Sequence, residues 1–232
     1  MNQKLLLLHG ALGSKEQFNS LKEALSSDFE VHTLDFEGHG NRASSKDFSM
    51  AVFVGNVIDY LRAHTIEKVH IFGYSMGGYV ALRLAHKHPG CIGKIITLGT
   101  KFAWNKETAA KEMKMLHPEK IEEKVPAFAK KLATVHSHND WKEVMHKTAQ
   151  MMHDLGNGKK ITSQELTQID HEVLIGIGSK DHMVSIQESR ESAEALPNGK
   201  LEILDEVPHM IDAIPTEKLR SICVNFINNT IN

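Results

Sequence analysis

The strongest constraint on this chain lies where a short β-branched apolar run, Val69 to Phe72, meets Gly73-Tyr74-Ser75-Met76-Gly77-Gly78 and then an amphipathic segment, Tyr79 to His88. A G-x-S-x-G sequence between strand and helix describes a turn so sharp that its serine is held at the tip in a strained backbone conformation. A side chain at Gly73 or Gly77 would collide with the neighbouring strand or helix, whereas glycine tolerates both the crowding and unusual dihedrals. Val80, Ala81, Leu84 and Ala85 recur at helical spacing immediately afterwards. The chain must therefore run from a buried strand directly into a helix, with Ser75 exposed between them.

The same strand-then-helix rhythm governs the rest of the first hundred residues and argues for βα units on a parallel sheet. Strands are expected at Lys4 to His9, Val31 to Asp35, Lys68 to Gly73 and Lys94 to Leu98, with helices over Glu16 to Ser27 and Met50 to His64. In the second helix Ala51, Val54, Ile58 and Leu61 share a face that should pack on the sheet. After Thr100 the rhythm stops. A Lys/Glu-rich helical stretch follows to about Thr162, broken by Pro118 and Pro126, with apolar stripes at Phe128, Leu132, Val135 and at Met145, Ala149, Met152. Strands return at Glu172 to Ile177 and Leu201 to Leu204, with helices at Gln187 to Ala195 and Thr216 to Asn228. The expected division is a core of residues 1–100 and 163–232 with a helical cap insertion at 101–162.

A serine hydroxyl becomes a useful nucleophile only when a base takes its proton, and the base works best when a carboxylate orients it. At an elbow site the partners follow in the order Ser, acid, His. Asp181 follows the strand ending at Ile177, and His209 follows the strand ending at Leu204, so both sit in loops at the carboxyl ends of strands, where ligands of open α/β sheets collect. Asp205 and Asp212 are rival acids, and His182 is the rival histidine. The oxyanion of acyl transfer needs preorganised donors. The backbone N–H groups of Met76, after the serine, and of Ala11, in the loop His9-Gly10-Ala11-Leu12-Gly13, are placed to supply them.

This ordered set resembles the α/β-hydrolase fold family: His9-Gly10 after the first strand, Asp35-Phe36-Glu37-Gly38-His39-Gly40 after the second, the elbow, the Gly178 to Asp181 loop and His209. The resemblance implies a three-layer α/β-hydrolase fold with Ser75 as nucleophile, His209 as base, Asp181 as orienting acid, and Ala11 and Met76 as oxyanion donors. Family members usually carry two further strands before the His-Gly strand, so the sheet here should be a shortened, mostly parallel one of about six strands. Serine at the elbow separates the chain from haloalkane dehalogenases and epoxide hydrolases of this fold, which place an aspartate there. The expected activity is a serine esterase (EC 3.1.1 class) acting on a small carboxylic ester through an acyl-Ser75 intermediate, without metal or organic cofactor. Leu12, Tyr74, Phe102, Trp104, Met183 and Met210 are candidate pocket walls, and the methionines of the cap are divided between pocket and packing. The alternative is a signalling or ligand-binding protein on the same scaffold that acts through a protein partner.

Composition narrows the partners. The 232 residues are 41% hydrophobic and 24% charged with a net charge of -2, so neither a nucleic-acid nor an anionic-membrane surface is expected. Leu5 to Leu8 is too short for a signal peptide, and no stretch is long enough to span a membrane. Cys91 and Cys223 alone suggest no disulfide framework, and the cytoplasm is the expected location. His136-Ser137-His138 with Asp140 carries metal-ligating groups but lacks a third ligand at suitable spacing, and is read as a solvated turn.

Overall fold

A computed structural model describes residues 2–228. Six strands, β1 (Lys4–Leu8), β2 (Glu30–Thr33), β3 (Val69–Tyr74), β4 (Ile92–Leu98), β5 (Val173–Lys180) and β6 (Gly199–Pro208), form one sheet in the order β2-β1-β3-β4-β5-β6. Every neighbouring pair is parallel. This is the six-stranded sheet expected from the sequence, with parallel pairing throughout.

Both faces of the sheet are covered, which is why the central strands β1, β3, β4 and β5 are mainly apolar along their length rather than on alternate residues, while the edge strands β2 and β6 are more polar and less buried. Leu6, Leu8, Val69, Ile71, Ile92 and Ile95 belong to one core, with α2 (Met50–Ala63), α3 (Met76–Lys87) and α9 (Ile186–Ala195) on that side. Leu5, Leu7, Phe72, Ile96 and Leu98 belong to the other, beneath α1 (Asn19–Leu25) and α10 (Thr216–Asn228). Three layers result. The inward face of α2 is rotated from the expected one: Val54 and Leu61 are buried as expected, but Phe53 and Val57 are fully buried and Ala51 is exposed. Phe53 packs its ring on Phe36 at a 5.0 Å centroid distance, and burying that large ring outweighs burying a methyl group.

Between β4 and β5 the chain forms α4 (Lys106–Met113), α5 (Pro118–Lys124), α6 (Pro126–Val135), α7 (Trp141–Asp154) and the short α8 (Ser163–Leu166). Pro118 and Pro126 occupy the first turns of α5 and α6, where a missing N–H costs nothing. His136, which ends α6, is fully buried, so the expected solvated turn is corrected at that residue, while Ser137, His138 and Asp140 are exposed. Its Nε2 donates to the Leu12 carbonyl at 3.1 Å and its Nδ1 accepts the Gly40 N–H at 3.1 Å. The helical segment is thereby tied to the loops after β1 and β2. No helix among the described residues is long and apolar enough to cross a membrane.

The sheet order reverses direction at β1 and β3, because β2 lies on one side of β1 and β3 on the other. In open α/β sheets a crevice forms outside the carboxyl ends of strands at such a switch point. Those two ends carry the loop from His9 and the turn at Ser75.

Candidate active site

Ser75 stands between β3 and α3 with φ 51° and ψ -114°, a conformation that costs a non-glycine residue about 1–3 kcal/mol. Its neighbours overdetermine it. The Ser75 N–H donates to the Leu98 carbonyl at 2.8 Å, and its own carbonyl accepts from Thr100 Oγ1 at 2.9 Å and from the Gly78 N–H at 3.1 Å. A Cβ at Gly73 would overlap the backbone of Gly78, and one at Gly77 would overlap the Leu8 carbonyl. The glycines are thus required by the close approach of α3 to β1 and β3.

The loops after β5 and β6 bring Asp181 and His209 together, with Nδ1 of His209 2.7 Å from Oδ2 of Asp181. The Asp181 side chain is only 1% exposed. Burial pushes its pKa up, but the hydrogen bond and charge of His209 and the N–H groups of Val184 and Met183 outweigh this and hold it below the usual carboxylate value. Those N–H groups reach Oδ1 at 2.9 and 2.8 Å. The histidine loop is held from below by Tyr74, whose hydroxyl donates to the His209 carbonyl at 3.1 Å. Gly99, at φ 61°, leaves room for the pair: a Cβ there would lie 3.3 Å from both Asp181 and His209.

Neither rival acid occupies this position. Asp205 accepts from Ser179 Oγ at 3.4 Å on β6, and Asp212 pairs with Lys131 at 2.9 Å. His182 is exposed in the acid loop. No cluster of three or more His, Cys, Asp or Glu among the described residues could hold a metal.

Ser75, His209, Ala11 and Met76 line one cavity of about 50 Å³. Met76 opens α3, so its N–H is among the donors a helix leaves unpaired at its positive end. The loop bearing Ala11 is fixed by His9, whose Nδ1 donates to the Gly10 carbonyl at 2.8 Å while Nε2 accepts the Phe36 N–H at 3.1 Å. Asp35 accepts the Lys15 N–H at 2.8 Å from the same loop.

Of the candidate pocket walls, Trp104 and Met183 line this cavity, and Leu12, Tyr74, Phe102 and Met210 do not. Phe102 is drawn into the core beside Tyr79, with ring centroids 6.4 Å apart. Tyr74 lies beneath His209, Leu12 packs on the core with its carbonyl held by His136, and Met210 points outward, 54% exposed. Met151 and Met152 of α7 do reach the cavity. Lys101 and Glu112 also line it and were not singled out from the sequence. Lys101 follows Gly99-Thr100 at the carboxyl end of β4, a positional signal that could have found it. Glu112 looks like any other charge on a Lys/Glu-rich helix.

The fold has its counterpart in known proteins. Residues 4–144 match the family profile of the alpha/beta hydrolase fold. A probable alcohol acetyltransferase of Cyberlindnera fabianii is 32% identical over 90 residues, 38% of this chain and 24% of that protein. The chain thus spans about a quarter of the length of the first curated relatives it matches. Among solved structures, 2-hydroxy-6-oxo-6-phenylhexa-2,4-dienoate hydrolase from Rhodococcus superposes with a TM-score of 0.80 at 20% identity, covering 98% of this chain and 91% of that one. The enol-lactonase of Burkholderia xenovorans gives 0.77 at 19% identity, covering 99% and 92%. At such identities the likeness is one of fold. With the family profile extending over more than half its length, the chain belongs to the α/β-hydrolase fold family.

Proposed function

We propose that this chain is a serine hydrolase that cleaves a small ester through an acyl-Ser75 intermediate. The observation that carries this reading is that His209, bonded to Asp181 at 2.7 Å, lines the same cavity as a serine held at positive φ. In the first half-reaction His209 takes the Ser75 hydroxyl proton as Oγ bonds to the substrate carbonyl carbon. The oxyanion is stabilised by the N–H groups of Met76 and Ala11, and His209 returns the proton to the departing alcohol. Water then attacks the acyl-enzyme with His209 as base again, releasing the acid and restoring Ser75. Asp181 holds the Nδ1–H tautomer so that Nε2 faces the serine, and it stabilises the imidazolium.

A cavity of about 50 Å³ is small beside the ~300–1,000 Å³ of typical ligand sites, which favours a short acyl group. The helices between β4 and β5 act as a cap, with α7 placing Met151 and Met152 over Ser75. Labelling with a fluorophosphonate, together with turnover of short-chain p-nitrophenyl esters, tests the reading. Both should be present in the native chain and lost in Ser75→Ala. An unlabelled serine and a silent ester panel would refute it and favour a ligand-binding regulator on this scaffold.

A further inference from the structure

The cavity wall beside Ser75 is mostly sulfur and hydrocarbon, from Met50, Met76, Met151, Met152, Leu155 and Val184. Two opposite charges are built into it. Lys101 Nζ lies 3.3 Å from Glu112 Oε1, and their side chains are 17% and 5% exposed. Glu112 and Ala109 form the buried side of α4, while Lys106, Glu107, Ala110 and Lys111 face solvent. Desolvating such a pair costs as much as, or more than, its attraction returns, and apolar residues of similar volume would be neutral or stabilising there. Packing therefore does not account for it.

Proton counting shows what the pair can do. An ammonium carries three protons. The Met183 carbonyl takes one at 3.1 Å, and Glu112, with Oε1 3.3 Å from Nζ, balances the charge as an ion pair without forming a hydrogen bond. The Trp104 ring stands 5.9 Å away and flanks the charge without accepting a conventional hydrogen bond. Two donors are left for whatever enters the cavity.

Resting on the acyl-Ser75 reading, we propose that Lys101, charge-balanced by Glu112, recognises a neutral oxygen on the substrate's acyl chain, so that the preferred substrates are short oxygenated acyl esters. An ether, keto or hydroxyl oxygen can accept from Nζ. A free carboxylate is disfavoured, because Glu112 already neutralises the ammonium and repels a second anion. An unsubstituted alkyl chain leaves these donors unpaired in a mostly apolar wall.

Lys101 also touches the acid loop, since the Met183 N–H that donates to Asp181 belongs to the same residue whose carbonyl Lys101 holds. A purely positioning role would lower turnover of every ester alike, whereas recognition acts on the ratio between esters. The test is kcat/KM for ethyl methoxyacetate, ethyl butanoate and monoethyl succinate, followed by acid release and normalised to each ester's hydroxide-catalysed rate. Methoxyacetate and butanoate differ only by oxygen for methylene. The native chain should favour methoxyacetate about tenfold over butanoate, the worth of one charged hydrogen bond. That ratio should fall to about one in Lys101→Met, mostly through KM. Glu112→Gln, which preserves shape, should shift preference toward monoethyl succinate. A native ratio near one, an unchanged ratio in Lys101→Met, or succinate as the best native substrate overturns the assignment. If Lys101→Met does not fold, the native ratio and Glu112→Gln decide alone. A chain that hydrolyses no ester and leaves Ser75 unlabelled overturns the acyl-enzyme reading and this one with it, whereas turnover without selectivity overturns only this one.

Discussion

Replacing Asp181 by asparagine separates the shape of the site from its protonation. The carboxylate has two jobs: Oδ2 receives His209 Nδ1–H at 2.7 Å, and Oδ1 receives the N–H groups of Met183 and Val184 at 2.8 and 2.9 Å. Asparagine has one oxygen and can fill only one of these roles. If it faced His209, its NH2 group would point at two backbone donors, leaving both unpaired at about 1–3 kcal/mol each, or about 2–6 kcal/mol in all. The amide oxygen therefore stays with the loop, and the NH2 faces the imidazole. His209 must then accept at Nδ1 and carry its proton on Nε2, toward Ser75, where a base is needed. The expected outcome is a fall of about 10⁴-fold in kcat, about 5.5 kcal/mol of transition-state stabilisation. Thermal midpoint should change by no more than a few degrees, because both loop hydrogen bonds survive. Steady-state hydrolysis of p-nitrophenyl acetate with parallel melting curves measures both quantities. Retention of more than about a tenth of kcat in a folded Asp181→Asn protein, or a larger loss from Asp205→Asn, would refute the reasoning.

Two glycines should respond in opposite ways to alanine. Gly77→Ala places a Cβ on the Leu8 carbonyl and should destabilise by at least about 1–3 kcal/mol, whereas Gly55→Ala, inside α2 with nothing within 4 Å, should stabilise by about 0.5–1 kcal/mol. Melting temperatures moving in the same direction would contradict this. Acid should destabilise the fold well before the carboxylates titrate. Burial lowers the His9 pKa to about 4, so between about pH 6.5 and 4 the unfolded chain binds a proton that the folded chain refuses. This contribution is complete above pH 6.5 and falls by about 2 kcal/mol at pH 5, with buried His39 and His136 adding in the same direction. Urea unfolding at pH 8 and pH 5 measures it, and equal or greater stability at pH 5 would contradict it.

Local pattern carried most of the architecture. The central strands were legible because strands covered on both faces read as continuous apolar runs, and the elbow because its glycines mark a strand-to-helix turn in which a Cβ at Gly73 would meet Gly78 five residues on. Ser75, Asp181 and His209 could be named from loop order alone, since the carboxyl ends of parallel strands all emerge on one rim. The pocket was far less legible. Tyr74, Leu12, Phe102 and Met210 are close in sequence to site residues, yet their side chains turn beneath His209, into the core or out to solvent. Sequence proximity to a catalytic group places a backbone and leaves the side chain's direction open.

The histidine at the end of α6 makes the same point from the other side. His136-Ser137-His138 has the look of a surface turn, but His136 is buried because loops from β1 and β2, about a hundred residues earlier, offer it a carbonyl and an N–H. Likewise Glu112 joins the cavity only because α4 brings it within 3.3 Å of Lys101, in the loop after β4. What the sequence by itself determined about this protein was the strand-turn-helix frame and the identity and order of the groups on its rim, because hydrophobic period and glycine sterics act locally. The tertiary structure alone decided which side chains face Ser75, how little room they leave, and that a charge pair stands among the methionines, because those depend on contacts between segments far apart in the chain.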